Sequence, residues 1–339
     1  MLGGLMSTVL VFGGNSFVGR ELVEMLLSSG TKVVTFNRSG NVPGIESDQL
    51  LTLKGDVTKR EDLDQLADYQ FEIVVDNISV NKSIISNLLE ALSGRNEIKY
   101  LLTSSSAVYH LIRNQKENNF KESDVDVYHQ YERNSLFQDR EWDYIQGKAD
   151  CERLLLDSNF SQKVIIRPNV ILGKRDPIKR TNYFLERVHD KEGVLLPDEG
   201  HNTYHLVYST NMARFYFDLI KNSNNRENLI VNYAQDEIFT NKKLISMIDK
   251  CNNFETPIFN VGKEKFVENE ITPPPFGKWG KYELDLTLLK EVESQQTITP
   301  VVDWIKDLND EYLQLREESY AFSFREKERA LIKTLGKVK

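Results

Sequence analysis

The stretch Thr8–Gly19 reads TVLVFGGNSFVG, and its order of residue types decides the architecture. Thr8–Phe12 is a short, wholly apolar run, which suits a parallel strand buried on both faces. From Phe17 onward Val18, Leu22, Met25 and Leu26 recur at helical spacing, and Ser28-Ser29-Gly30 supplies a stop. A glycine-rich turn therefore joins a first strand to a first helix. Gly13 is suited to the tight turn and Gly19 to close helix–strand packing. Asn15, Ser16, Phe17 and Val18 lie at the helix start, where free N–H groups and the helix dipole favour a pyrophosphate.

Strand and helix patterns alternate beyond this point. Lys32–Phe36, Gln49–Leu53, Phe71–Val75 and Ile98–Thr103 read as strands, with helices near Lys59–Ala67 and Lys82–Leu92. Alternation with short connections predicts an α/β protein of the Rossmann type, a doubly wound parallel sheet covered on both faces. His110–Glu141 interrupts the rhythm with a long polar stretch, expected to be a mobile cover over the substrate cleft. Asp143–Leu156 returns to a helix and Lys163–Arg167 to a strand. Residues 1–170 are then the NAD(P)-binding domain, with 204–235 packing back onto it. Residues 171–203 and 236–308 form a smaller C-terminal substrate lobe, and 309–339 a helical tail. The apolar tail residues Leu313, Leu315, Tyr320 and Phe324 suggest a surface helix or an arm for a homo-oligomer.

Composition narrows the functional classes. The chain has 339 residues, 43 Lys plus Arg against 51 Asp plus Glu, and a formal charge of −8, which disfavours a nucleic-acid partner. Cys151 and Cys251 belong to no CxxC or Cys/His cluster, and the five histidines show no HExxH spacing, so no metal site is expected. No apolar run approaches the roughly 18 residues of a membrane span, and Met1–Leu5 lacks the pattern of a signal peptide, with Met6 an equally natural start. A cytoplasmic location and a small-molecule substrate are the resulting expectations.

Two further groups of residues carry chemistry. The second strand ends in Asn37-Arg38-Ser39, with no carboxylate for a ribose 2′-hydroxyl, which favours NADP over NAD. Asp56-Val57, after the third strand, is placed to meet the adenine edge. Tyr144 and Lys148 are four residues apart on one helix face. A phenol, with a pKa of ~10 in water, becomes a workable acid/base when a cation stands close. Ser104-Ser105-Ser106 ends the fifth strand, at the edge where doubly wound sheets place ligands.

Together these residues resemble the extended short-chain dehydrogenases/reductases, the NAD-dependent epimerase/dehydratase family. The likeness rests on Gly13–Gly19, Asp56-Val57, Ser104–Tyr109, Tyr144–Lys148 and Arg167–Gly173, and covers roughly the first 235 residues. It implies an NAD(P)-dependent oxidoreductase or epimerase acting on a carbinol or carbonyl carbon, with a nucleotide sugar as a candidate substrate. Within it Tyr144 is the general acid/base, Lys148 its partner, and Ser105 the donor to the reacting oxygen. Arg167, Pro168, Asn169 and Val170 line the nicotinamide side. The chain departs from the pattern in three places. Ser16 replaces a middle glycine, the Ser105–Tyr144 interval is long, and Asp76-Asn77-Ile78-Ser79 stands where small apolar residues are usual. The basic stretch Gly173–Arg180 is either solvated or a seat for an anionic substrate. The glycine loop also resembles that of plastid RNA-binding members, so a non-catalytic nucleotide-binding or RNA-associated regulator is the alternative reading.

Overall fold

A computed structural model describes residues 8–197, 200–222, 227–276, 280–292, 298–316 and 324–336. The opening Met1–Leu5, Met6 and the tail residue Tyr320 lie outside them. In chain order the strands are β1 (Thr8–Phe12), β2 (Lys32–Asn37), β3 (Leu50–Lys54), β4 (Ile73–Asp76), β5 (Lys99–Thr103), β6 (Gln162–Pro168), β7 (Val170–Leu172), β8 (Val194–Pro197), β9 (Thr203–Tyr208), β10 (Asn228–Tyr233), β11 (Ile238–Phe239), β12 (Ile258–Val261) and β13 (Lys281–Tyr282). The helices are α1 (Phe17–Ser28), α2 (Arg60–Leu63), α3 (Lys82–Ala91), α4 (Asp139–Leu156), α5 (Arg180–Asp190), α6 (Ser209–Lys221), α7 (Asn241–Asn252), α8 (Lys263–Glu268), α9 (Thr287–Val292), α10 (Val301–Leu315) and α11 (Arg325–Gly336).

The chain divides into two compact units. The first contains the residues up to Asn169, Ser209–Ala234 and the segment that begins at Leu284. Its centre is a seven-stranded parallel sheet in the order β10-β6-β5-β4-β1-β2-β3. The sheet is parallel because each strand returns through a crossover, and its strands are apolar because helices bury both faces. Leu10, Phe12, Val74, Leu102 and Ile165 form one face of that core with Leu88, Leu155 and Cys151. The winding reverses between β1 and β4, where Phe12 is in register with both Phe36 and Asp76. Such a switch point opens a crevice beyond the carboxyl ends of the strands.

The expected parallel α/β fold is therefore present, and the differences lie in the connections. The helix expected over Lys59–Ala67 is a single turn, α2, followed by a 3₁₀ turn over Asp64–Asp68. The polar stretch after His110 is a packed insertion in its first half, which corrects the expectation of a mobile cover. Phe120 is fully buried, stacked on Tyr109 at 5.1 Å, and Val125 is also buried. Asn232 fastens the segment, donating from Nδ2 to Phe120 O at 3.0 Å and from its backbone N to Glu122 Oε1 at 2.8 Å.

The second unit contains Val170–Tyr208, Gln235–Glu283 and the helices α10 and α11. β9 belongs here, paired with β7, β11 and β13, so the return to the first unit starts at Ser209 rather than at 204. β8 pairs with β12. Trp304, Ile305 and Leu308 of α10 enter the core with Tyr204, Leu206 and Ile245. Ile332 of α11 packs with Leu195, Val261 and Phe266. The tail is thus built into this unit, although Leu315 stays exposed.

Candidate functional site

The turn after β1 is held by contacts that admit only glycine. Gly13 has φ +80°, a left-handed conformation that L side chains resist. A Cβ on Gly19 would stand 2.2 Å from Gly13 O, so α1 lies directly against the turn. Ser16 takes the N-cap position with extended backbone, and its side chain makes no capping bond. Phe17 has φ +51°, an uncommon conformation for a bulky residue, and it turns the chain into α1 without the missing middle glycine. Asn15 and Ser16 reach solvent, while Val18 and Gly19 are buried. The first-turn N–H groups of α1 have no acceptor within the helix. Asn77, next to this turn, has a buried Nδ2 without an acceptor among the described residues. Glycines packed too closely for a side chain, the first-turn N–H groups of α1 and the buried Asn77 donor together fit a dinucleotide pyrophosphate.

The end of β2 is organised by Asn37, which is buried. Its Oδ1 accepts from Ser39 Oγ and Gly40 N, both at 2.8 Å, and its Nδ2 donates to Asn41 O at 3.1 Å. The Asn37 carboxamide thereby closes its own turn and leaves Arg38 exposed beside it. Asp56 Oδ1 accepts from Thr58 N and Oγ1, and these bonds, with the Arg38 charge adding to them, hold its carboxyl below the usual carboxylate value. Val57 packs at the edge of the core.

Helix α4 presents Tyr144 and Lys148 on successive turns of one face. Tyr144 is 40% exposed, whereas Lys148 is 4% exposed. Lys148 Nζ donates to Ser79 O at 2.7 Å and to Thr103 O at 2.8 Å, and stands 5.9 Å from the centre of the Tyr144 ring. The ammonium is thus pinned between the ends of β4 and β5. Gly147 permits this approach, since a Cβ there would stand 2.3 Å from Val80 O. Ser105 follows Thr103 by two residues, and its Oγ accepts from Ala107 N at 3.1 Å at the start of a 3₁₀ turn.

Arg167, expected on the nicotinamide side, is instead sealed in the interior. Its guanidinium grips Glu152 and donates to Tyr109 OH at 3.1 Å and Glu122 O at 3.0 Å. Pro168 ends β6, Asn169 N donates to Tyr233 O at 3.1 Å, and Val170 opens β7 in the second unit. The sequence reading gave no role to Glu152 or Thr103, and marked Asp76 only as a departure from the family pattern. Glu152 was accessible to it, being four residues beyond Lys148 on the same helix face. Asp76 is fully buried, accepting from Ser79 N at 2.9 Å and Tyr100 OH at 2.8 Å, and so shapes the loop that holds Lys148.

Comparison with known proteins identifies the family and the fold. Residues 9–234 match the model of the NAD dependent epimerase/dehydratase family. The chain is 25% identical over 296 residues to an N-acetyl-alpha-D-glucosaminyl-diphospho-ditrans,octacis-undecaprenol 4-epimerase of Escherichia coli O157:H7, covering 82% of this chain and 79% of that protein. It is also 25% identical over 283 residues to the chloroplast stem-loop binding protein of 41 kDa b of Arabidopsis thaliana, covering 76% and 68%. Among solved structures, a Bacillus cereus UDP-glucuronic acid 4-epimerase in complex with NAD superposes with a TM-score of 0.72 at 17% identity, covering 91% of this chain and all 100% of that one. A Thermotoga maritima UDP-glucose 4-epimerase with UDP-glucose gives 0.71 at 18% identity, covering 91% and 100%. With two thirds of its length matched by the family model and the same fold around its glycine turn, the chain belongs to the NAD dependent epimerase/dehydratase family of short-chain dehydrogenase-type enzymes.

Proposed function

We propose that this protein uses a nicotinamide dinucleotide to move hydride at a carbinol or carbonyl carbon of a nucleotide sugar, with Tyr144 as general acid/base. The observation that carries the reading is the position of Lys148. Two of the three N–H donors of its ammonium are fixed on Ser79 O and Thr103 O, which sets the cation one turn below Tyr144. The third would be left to donate to a ribose hydroxyl of a bound cofactor. Tyr144, half-exposed on the same helix face, would exchange the hydroxyl proton of the substrate. Ser105 donates to the reacting oxygen. Bound nicotinamide supplies the hydride acceptor and donor at its ring. Hydride returned to the other face would give an epimer, and hydride kept by a released product would give net reduction. Because β2 ends without a carboxylate, and Arg38 is exposed there, NADP is the favoured cofactor over NAD.

The test is a screen of UDP- and dTDP-sugars and small carbonyl compounds with both cofactors, comparing wild type with Tyr144→Phe. The variant is expected to lose roughly 10²- to 10⁴-fold in turnover while binding dinucleotide as wild type does. Wild-type turnover by Tyr144→Phe overturns the mechanism. Dinucleotide binding with no turnover of any substrate in the screen favours a non-catalytic regulator, the class suggested by the stem-loop binding relative.

A further inference from the structure

Asn77 follows β4 directly and lies against both glycines of the turn. Its backbone N donates to Phe12 O at 3.3 Å. Its Cβ is 3.4 Å from the position a Gly13 Cβ would take, and its Nδ2 is 3.2 Å from the position of a Gly19 Cβ. The carboxamide is oriented from behind by a chain of hydroxyls. Asn77 Oδ1 is an acceptor only, so Thr103 Oγ1 gives it its proton and in turn accepts from Tyr216 OH. Tyr216 is fully buried, and burial pushes its phenol well above the ordinary value, so it keeps its proton and remains the donor. Rotating the Asn77 amide would deprive Thr103 of its acceptor. The chain Tyr216–Thr103–Asn77 therefore ends in Nδ2, a buried donor with no acceptor among the described residues.

Unmet buried donors are rare in folded proteins, and one beside a ligand cradle points to an acceptor on the ligand. We propose that Asn77 Nδ2 donates to a pyrophosphate oxygen of the bound dinucleotide, with Thr103 and Tyr216 as the residues that aim it. The inference rests on the dinucleotide reading above. The chemistry agrees: the neighbouring groups are first-turn N–H donors of α1, and one more N–H among them suits an anion. The resemblance to the family leads to a small apolar residue here, so this side-chain contact is a property of this chain.

The experiment is a fluorescence titration of NADH and NADPH, and a calorimetric titration of ADP-ribose, against wild type, Asn77→Ala, Asn77→Asp and Thr103→Val, with melting curves for each. Asn77→Ala is expected to weaken all three ligands by roughly 10- to 100-fold, as for the loss of one hydrogen bond to a charged acceptor. Asn77→Asp, nearly isosteric, is expected to weaken them further, since it turns a carboxylate toward the phosphates. Thr103→Val leaves the carboxamide intact but unaimed and is expected to fall between wild type and Asn77→Ala. If Asn77→Ala does not fold, Asn77→Asp and Thr103→Val decide. Unchanged affinity in the variants that fold overturns the proposal, as does a loss for NADH without a loss for ADP-ribose. Failure of wild type to bind any of the three overturns the dinucleotide reading and this proposal with it; wild-type binding with indifferent variants overturns this proposal alone.

Discussion

Glu152 and Arg167 form a two-pronged ion pair that water does not reach, with Nη2 2.6 Å from Oε2 and Nε 3.0 Å from Oε1. Burial works against the guanidinium charge, and the facing carboxylate outweighs it, so Arg167 stays protonated. Glu152 also accepts from Ser104 Oγ, which ties α4 to the end of β5 as well as to β6. The pair stands one turn beyond Lys148 and fixes the helix that carries both Lys148 and Tyr144. Breaking it by Glu152→Gln leaves a buried cation without its counter-charge. A loss of about 3–5 kcal/mol in urea unfolding is expected. Replacing both partners together by apolar residues of similar size is expected to recover part of that loss.

Gly19→Ala is expected to lower stability by about 1–3 kcal/mol and to abolish dinucleotide binding, because the added methyl meets a backbone carbonyl that has no room to yield. That carbonyl, Gly13 O, would be 2.2 Å away. Gly336→Ala, which meets nothing within 4 Å, is the control. Melting curves and cofactor titration on both variants check it, and a normal titration for Gly19→Ala would show that the turn is not a phosphate cradle.

Cofactor choice is expected to depend on Arg38. The wild type should bind NADPH more tightly than NADH, and Arg38→Ala should weaken NADPH by roughly 10-fold while leaving NADH unchanged, the loss of one charge-assisted contact. Parallel fluorescence titrations measure this. Equal affinities in wild type, unaltered by the substitution, would reject the preference.

Acid sensitivity is expected at Asp190. Burial raises its carboxyl, but the bonds from Arg325 Nε and Nη2, each 2.6 Å, prevail and hold it below its ordinary value of 3.8. A carboxyl depressed in the folded state contributes stability above its unfolded pKa, and that contribution disappears as pH falls through the folded value. Asp190→Asn should therefore be less stable than wild type near neutrality, with the difference shrinking below pH 3.8. Urea unfolding across that range is the measurement, and a pH-independent difference would assign the effect to packing alone.

Much of this molecule was legible in one dimension. The parallel sheet followed from the alternation of strand and helix periods, and the tight turn after β1 from glycines placed between the first two elements. Lys148 and Tyr144 were legible because a helix brings residues four apart onto one face. Each of these signals is local: it depends on the period of the element or on backbone sterics within a few residues.

Tertiary structure alone decided which polar groups meet across the sheet. Arg167 carries the same charge whether it faces a cofactor or Glu152, and only the register of β6 against α4 turned it inward. Asn77 was conspicuous in sequence as a departure, but that its carboxamide is aimed by Thr103 and Tyr216 depends on residues up to 139 positions away being folded onto one strand edge. The insertion after His110 looked like a mobile loop because polar composition cannot show that Phe120 and Asn232, 112 residues apart, fasten it. Hydrophobic periodicity reports which side of an element faces the core, whereas hydrogen bonds of this kind require a donor and an acceptor within about 3 Å, a condition that only the folded chain sets.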